Sequence, residues 1–346
     1  MSKLGITNGI RNEELGIRNK NQSDIPHSSF LIPFVIRNSQ FVIYLLLLAG
    51  AIPSRAQSRI DRYMKFAHPI GVAKLDFPGP NGGYTFIHLP TKEVDDRSGD
   101  TVVKDHTYLL DLTVSHEGLY LAPDTMRSMS DYTPFEFVLT KDHLIHAKLA
   151  PSHTHDDLRE FDTSLNGTLG YGLLRQFVTV FDFKKNTLTF YPLFANIDIG
   201  QNDTDAIQLP LIDDAKVTYC GCPFSTIWLD IQAPPLKPGH VNLAFQQPLS
   251  QIFTVAIDDK TERLVDKHST VDPVTKQKRN IGLNVGQFIV GGENIASRSP
   301  HRAIIETPPQ YHDLNIPLLG TLGTDVLRTF SDVIIDPSRE KLILVK

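Results

Sequence analysis

One block of this chain occurs twice, and a repeat of that size restricts the fold more than any other feature of the sequence. Gly167-Thr-Leu-Gly170 is followed by Leu173-Leu-Arg-Gln-Phe177, by a strand-like run ending at Asp182, and by Leu188-Thr-Phe190. Gly320-Thr-Leu-Gly323 is followed by Val326-Leu-Arg-Thr-Phe330, by a run ending at Asp336, and by Leu342-Ile-Leu344. The copies lie 153 residues apart, with one extra residue around Ser331-Asp332 in the second. A period this long describes two halves, not a solenoid of short units. Upstream of each copy an apolar run meets an aspartate, Tyr108-Leu-Leu-Asp111 in the first half and Ile227-Trp-Leu-Asp230 in the second.

The runs between these landmarks are short, β-branched and aromatic, as in Tyr84–Leu89, Thr107–Leu112 and Phe177–Phe183, and Pro and Gly punctuate them. Helix signals are few, and Gly172–Phe177 and Asp325–Phe330 are the clearest, of one or two turns each. The expectation is an all-β protein with few short helices. Apolar residues make up 41% and charged residues 21% of the 346, enough for a sizeable core and too little charge for general disorder. The net charge of −5 argues against nucleic acid as a partner. Two cysteines, Cys220 and Cys222, cannot build a disulfide framework or a four-thiolate zinc site. Their spacing strains an intramolecular bridge, so free thiols in a tight turn are expected, a strained or redox-sensitive disulfide being the alternative.

The order of these features resembles the retropepsin-like and pepsin-like aspartic proteases. The elements are an apolar strand ending in Asp, a turn, a later Leu-Gly with a short helix, and a strand-Asp-turn-strand unit. The resemblance covers about residues 80–346 and implies a two-lobed β-barrel architecture produced by internal duplication. The domains expected are a polar tail plus signal peptide at 1–56, an N-terminal lobe at 57–200 and a C-terminal lobe at 201–346. It further implies that Leu169-Gly170 and Leu322-Gly323 thread beside the catalytic turns in psi-shaped loops. Asp111 and Asp230 then stand as the catalytic pair, with a peptide or protein in the cleft between the lobes and neither cofactor nor metal required. The chemistry needs two carboxylates sharing one proton, so that one takes a proton from water while the other polarises the scissile carbonyl.

Both turns depart from the family's Asp-Thr/Ser-Gly. The first reads Asp111-Leu112-Thr113, and the second, on this assignment, Asp230-Ile231-Gln232. The hydroxyls that brace the pair and the glycines that permit close approach are absent from both. A misplacement of about 1 Å can cost on the order of 10²-fold in rate. The expectation is therefore weak or no endopeptidase activity in a protein that binds peptide, the alternative being an active endopeptidase using Asp111 and Asp230.

The remaining signals are weaker. His153-Thr-His155-Asp-Asp157 resembles the opening of a metallohydrolase zinc motif, but Leu158 stands where the next His belongs, and a surface loop is the simpler reading. Asp182 and Asp336 each precede a turn between strands and read as turn caps. Leu283–Gly292 alternates like a hairpin. Asn166-Gly-Thr168 and Asn202-Asp-Thr204 match glycosylation sequons, the first inside the repeat. Phe41–Ala51 is an apolar run with Arg37 before it and Ser54-Arg-Ala56 after it, a signal-peptide pattern with cleavage after Ala56. It is too short for an ordinary span of about 20 residues. Its removal takes six basic and three acidic residues, leaving a net charge of −8. An exported monomer without membrane attachment follows as the expectation.

Overall fold

The computed structural model describes residues 59–78, 83–95, 97–121, 132–152, 164–200, 203–212, 218–219, 222–223, 227–232, 238–246, 250–253, 269–271, 278–280, 289–295, 303–305, 314–316 and 318–346. Contacts group Gln57–Lys346 as one unit. The signal-peptide segment, the His153/His155/Asp157 loop, Cys220 and most of the 283–292 hairpin lie outside the described residues. Among the described residues no helix is long and apolar enough to cross a membrane.

The first half contains α1 (Arg59–Tyr63), β1 (Gly71–Asp76), β2 (Phe86–Val94), β3 (Thr101–Leu110), β4 (Gly118–Leu121), β5 (Thr133–Thr140), β6 (His143–Ser152), β7 (Leu165–Leu169), α2 (Tyr171–Leu174), β8 (Phe177–Asp182) and β9 (Thr187–Pro192). The second half opens with β10 (Ala206–Pro210), β11 (Thr218–Tyr219), β12 (Cys222–Pro223), β13 (Trp228–Gln232), β14 (Gly239–Ala244) and β15 (Gln251–Phe253). It continues through β16 (Ser269–Val271), β17 (Lys278–Asn280), β18 (Ile289–Val290), β19 (Glu293–Asn294) and β20 (Ala303–Ile305). It closes with β21 (Leu318–Gly323), α3 (Thr324–Leu327), β22 (Asp332–Asp336) and β23 (Lys341–Val345). The chain is all-β with short helices, as its sequence implies.

The two halves meet in a shared sheet. Its order runs β10-β23-β22-β8-β9-β1 and continues through β2-β3-β7-β4-β6-β5, where β5 also pairs with β2 and closes the last six strands into a barrel. At the seam β8 and β22 are antiparallel, with Val180 opposite Ile334. These two residues are repeat counterparts, so a local two-fold axis passes between them. The single extra residue noted around Ser331 accounts for the offset of 154 here, against 153 at the glycines. The turns that follow match in backbone too: Asn186 (φ 54°) and Glu340 (φ 51°) are counterparts, and both adopt the left-handed conformation. Asp182 accepts from the amides of Lys184 and Lys185, and Asp336 accepts from Ser338 Oγ and the Arg339 amide, so both act as turn caps.

Both faces of the seam are buried, which explains why β8 and β22 read as continuous apolar runs. One face carries Phe181, Val333 and Ile335 into the main core. The other carries Val178, Val180 and Ile334, covered by Ile60, Tyr63 and Met64 of α1 and its C-terminal turn. Arg62 bonds to Asp203 at 3.1 Å, tying α1 to the segment before β10. Further ties cross between halves. The Thr85 amide donates to the Phe245 carbonyl at 3.1 Å, the Thr324 hydroxyl donates to the Gly83 carbonyl, and Phe181 stacks on Phe245 at 4.4 Å.

Candidate active site and its second-half counterpart

Asp111 emerges directly from β3. Its amide donates to the Leu169 carbonyl of β7 at 2.9 Å. Its Oδ1 accepts from the Thr113 amide at 2.9 Å and from the Thr113 hydroxyl at 2.6 Å, so Thr113 holds the carboxylate within its own turn. Burial pushes this carboxyl above its ordinary value, and the two Thr113 bonds oppose that rise. Ionising Asp111 therefore works against folding. Its contribution to stability is present below the ordinary carboxylate range and is lost as pH rises through the raised value.

The psi-shaped crossing is present in both halves. β7 lies parallel to β3, with Gly167 opposite Tyr108 and Leu169 opposite Leu110, and antiparallel to β4. β21 lies parallel to β14, with Gly320 opposite Val241 and Leu322 opposite Leu243, and antiparallel to β15. β4 and β15 in turn run parallel to β6 and β20. Gly167 and Gly320 share φ 158°. A Cβ on Gly167 would strike the backbone of Leu119 and sit 2.7 Å from Tyr120 Cα. Gly170 and Gly323 cap α2 and α3 with φ/ψ of −99°/175° and −86°/179°.

This register corrects the second catalytic assignment. Counting one residue past Leu110 reaches Asp111; counting one past Leu243, which holds the same place against Leu322, reaches Ala244. Asp230 lies on the other strand of the hairpin. β13 pairs antiparallel with β14, Trp228 opposite Asn242 and Asp230 opposite His240, just as β2 pairs with β3, Phe86 opposite Leu109 and His88 opposite Thr107. Asp230 is thus the counterpart of His88. Its side chain is 72% exposed, and its Oδ1 lies 2.7 Å from His240 Nδ1. Ile231 and Gln232 are not a turn either. They continue β13, opposite Gly239 of β14 and opposite Val290 and Ile289 of β18, because a strand paired on both sides cannot bend there.

The true second turn reads Ala244-Phe245-Gln246. Leu112 and Phe245, at the position where the family carries a bracing hydroxyl, are both fully buried in the main core. At the base of both turns the side chain at this position is therefore apolar and packs in the core. Asn166, of the first sequon, uses its Oδ1 to accept from the Thr107 amide at 2.9 Å, which is a structural role inside the crossing. Among the described residues no group of three His, Cys, Asp or Glu side chains is placed to hold a metal.

No family model matches the chain, and no curated protein matches it. Solved structures do. The chain is similar to an aspartic proteinase from Irpex lacteus at 13% identity and a TM-score of 0.46, over 80% of this chain and 97% of that one. It is similar to Basic 7S globulin from soybean at 11% identity and a TM-score of 0.40, over 80% and 96%. It is similar to conglutin gamma, a basic 7S globulin from lupine seeds, at 9% identity and a TM-score of 0.40, over 81% and 95%. On its own topology the chain has a two-halved, aspartic-protease-like β fold, with a carboxylate at the first turn and a methyl group at the second.

Proposed function

We propose that this protein is an exported, non-catalytic aspartic-protease-like protein that holds a peptide or protein segment between its two halves. The observation that carries the reading is Ala244 at the counterpart of Asp111. Peptide hydrolysis by this fold needs one carboxyl as base and a second as acid, and each positioned acid or base group is worth about 10²–10⁴-fold. A lone Asp111, already bonded to its own turn through Thr113, supplies one of the two. The retained crossings, glycine caps and core at both turns support a role in which the scaffold persists without the chemistry. Export rests on the 1–56 segment, with cleavage after Ala56.

The test is a peptide library offered from about pH 3 to 7 to wild type and to an Asp111→Asn variant. Both should leave the peptides uncut to the same extent, while wild type retains a subset measurable by fluorescence polarisation. Cleavage by wild type that Asp111→Asn abolishes would overturn the non-catalytic reading. Failure to retain any peptide would overturn the binding reading.

A further inference from the structure

Removed from the catalytic pair, Asp230 belongs to a different site. A cavity of about 670 Å³ opens beside it, within the range of small-ligand pockets. Three elements build it. The β13–β14 hairpin contributes Asp230 and His240, β10 contributes Pro210 at its end, and β18 contributes Ile289 with the following Gly291-Gly292 turn. That turn has φ values of 58° and 83°, which favour glycine, so one wall is bare backbone. A side chain at Gly291 would also collide with Ile207 and Leu209 of β10.

The pocket's chemistry is one-sided. Asp230 is the carboxylate at its mouth. Its Oδ1 lies 2.7 Å from the His240 ring, and the side chain is 72% exposed. His240 is 22% exposed and stands directly opposite Asp230 in the hairpin register, with its ring beside the carboxylate. Among the described residues, two nearby cations are engaged elsewhere: Lys341, opposite Pro210, bonds to Gln208 Oε1 at 3.3 Å, and Lys346 pairs with Glu293. Pro210 and Ile289 provide an apolar shelf next to the carboxylate.

We infer that this pocket receives a basic side chain, an arginine or lysine carried on a polypeptide. Its aliphatic stem lies on Pro210 and Ile289, and its cationic head meets the carboxylate of Asp230. A planar guanidinium suits the site best, because it donates in a fork that a positioned carboxylate accepts. The pocket shares no lining residue with the Asp111 turn, so its occupancy and the non-catalytic reading stand or fall separately.

The probe is Nα-acetyl-arginine amide, titrated against the full chain while the His240 ring resonances are followed by NMR. Its uncharged isostere, Nα-acetyl-citrulline amide, serves as the comparison. The arginine probe should shift His240 saturably in the millimolar range, and the citrulline probe should bind about 10-fold or more weakly. Asp230→Asn, at an exposed position that leaves the fold intact, should weaken the arginine probe by a similar factor. Equal binding of the two probes would overturn the inference, as would unchanged affinity in Asp230→Asn or a His240 signal that does not move.

Discussion

Gly167→Val is expected to prevent folding or to lower stability by about 3 kcal/mol or more, at the upper end for overpacking because the colliding atoms are backbone. β7 threads between β3 and β4, parallel to one and antiparallel to the other, so strand backbones flank it closely on both sides. A Cβ at Gly167 meets the Leu119 carbonyl and Tyr120 Cα, which are parts of β4 and cannot rotate away. Gly200→Ala is the control, since among the described residues nothing lies within 4 Å of a Cβ built there. Urea unfolding should separate the two variants by most of the protein's stability. A Gly167→Val protein as stable as Gly200→Ala would mean that the crossing leaves room for a side chain.

The second large effect concerns the seam between the halves. Phe245 is fully buried, stacks on Phe181 of the first half at 4.4 Å and offers its carbonyl to the Thr85 amide. Phe245→Ala should cost about 3–5 kcal/mol, from lost burial and the cavity left behind. Because β8 and β22 share one sheet, the loss should appear as a single cooperative transition in both halves. Two separate transitions in calorimetry, with only one of them lowered, would contradict a continuous core.

Much of the fold was legible because the repeat carries its own punctuation. Gly167 and Gly320, Gly170 and Gly323, and the turn aspartates Asp182 and Asp336 each do the same backbone job in both halves, so residue identity followed geometry. Even the extra residue near Ser331 was readable, and it sets the register of Val180 against Ile334.

The second catalytic position was not legible by the same route. An apolar run ending in Asp is a local pattern, and Ile227-Trp-Leu-Asp230 satisfies it on the wrong strand of the hairpin. What distinguishes the strands is a long-range parallel pairing with β21, which no local pattern encodes. A signal was nevertheless present. Val241-Asn-Leu-Ala-Phe245 aligns position by position with Tyr108-Leu-Leu-Asp-Leu112, and the two runs end in the buried pair Phe245 and Leu112. The two runs differ where the first has Asp111 and the second Ala244, so a pattern that includes the aspartate passes over the second run.

A lone carboxyl at the first turn is tested most directly by titrating the Asp111 side-chain carboxyl carbon by NMR, in wild type and in Asp230→Asn. Two carboxyls that share a proton titrate in two coupled steps, and removing one moves the other by about a unit or more. With Ala244 at the second position, Asp111 should titrate in one step, above the ordinary carboxylate value because its surroundings desolvate it, and Asp230→Asn should leave that midpoint where it was. A two-step curve for Asp111, or a midpoint displaced by Asp230→Asn, would restore the pair and contradict the assignment of Ala244.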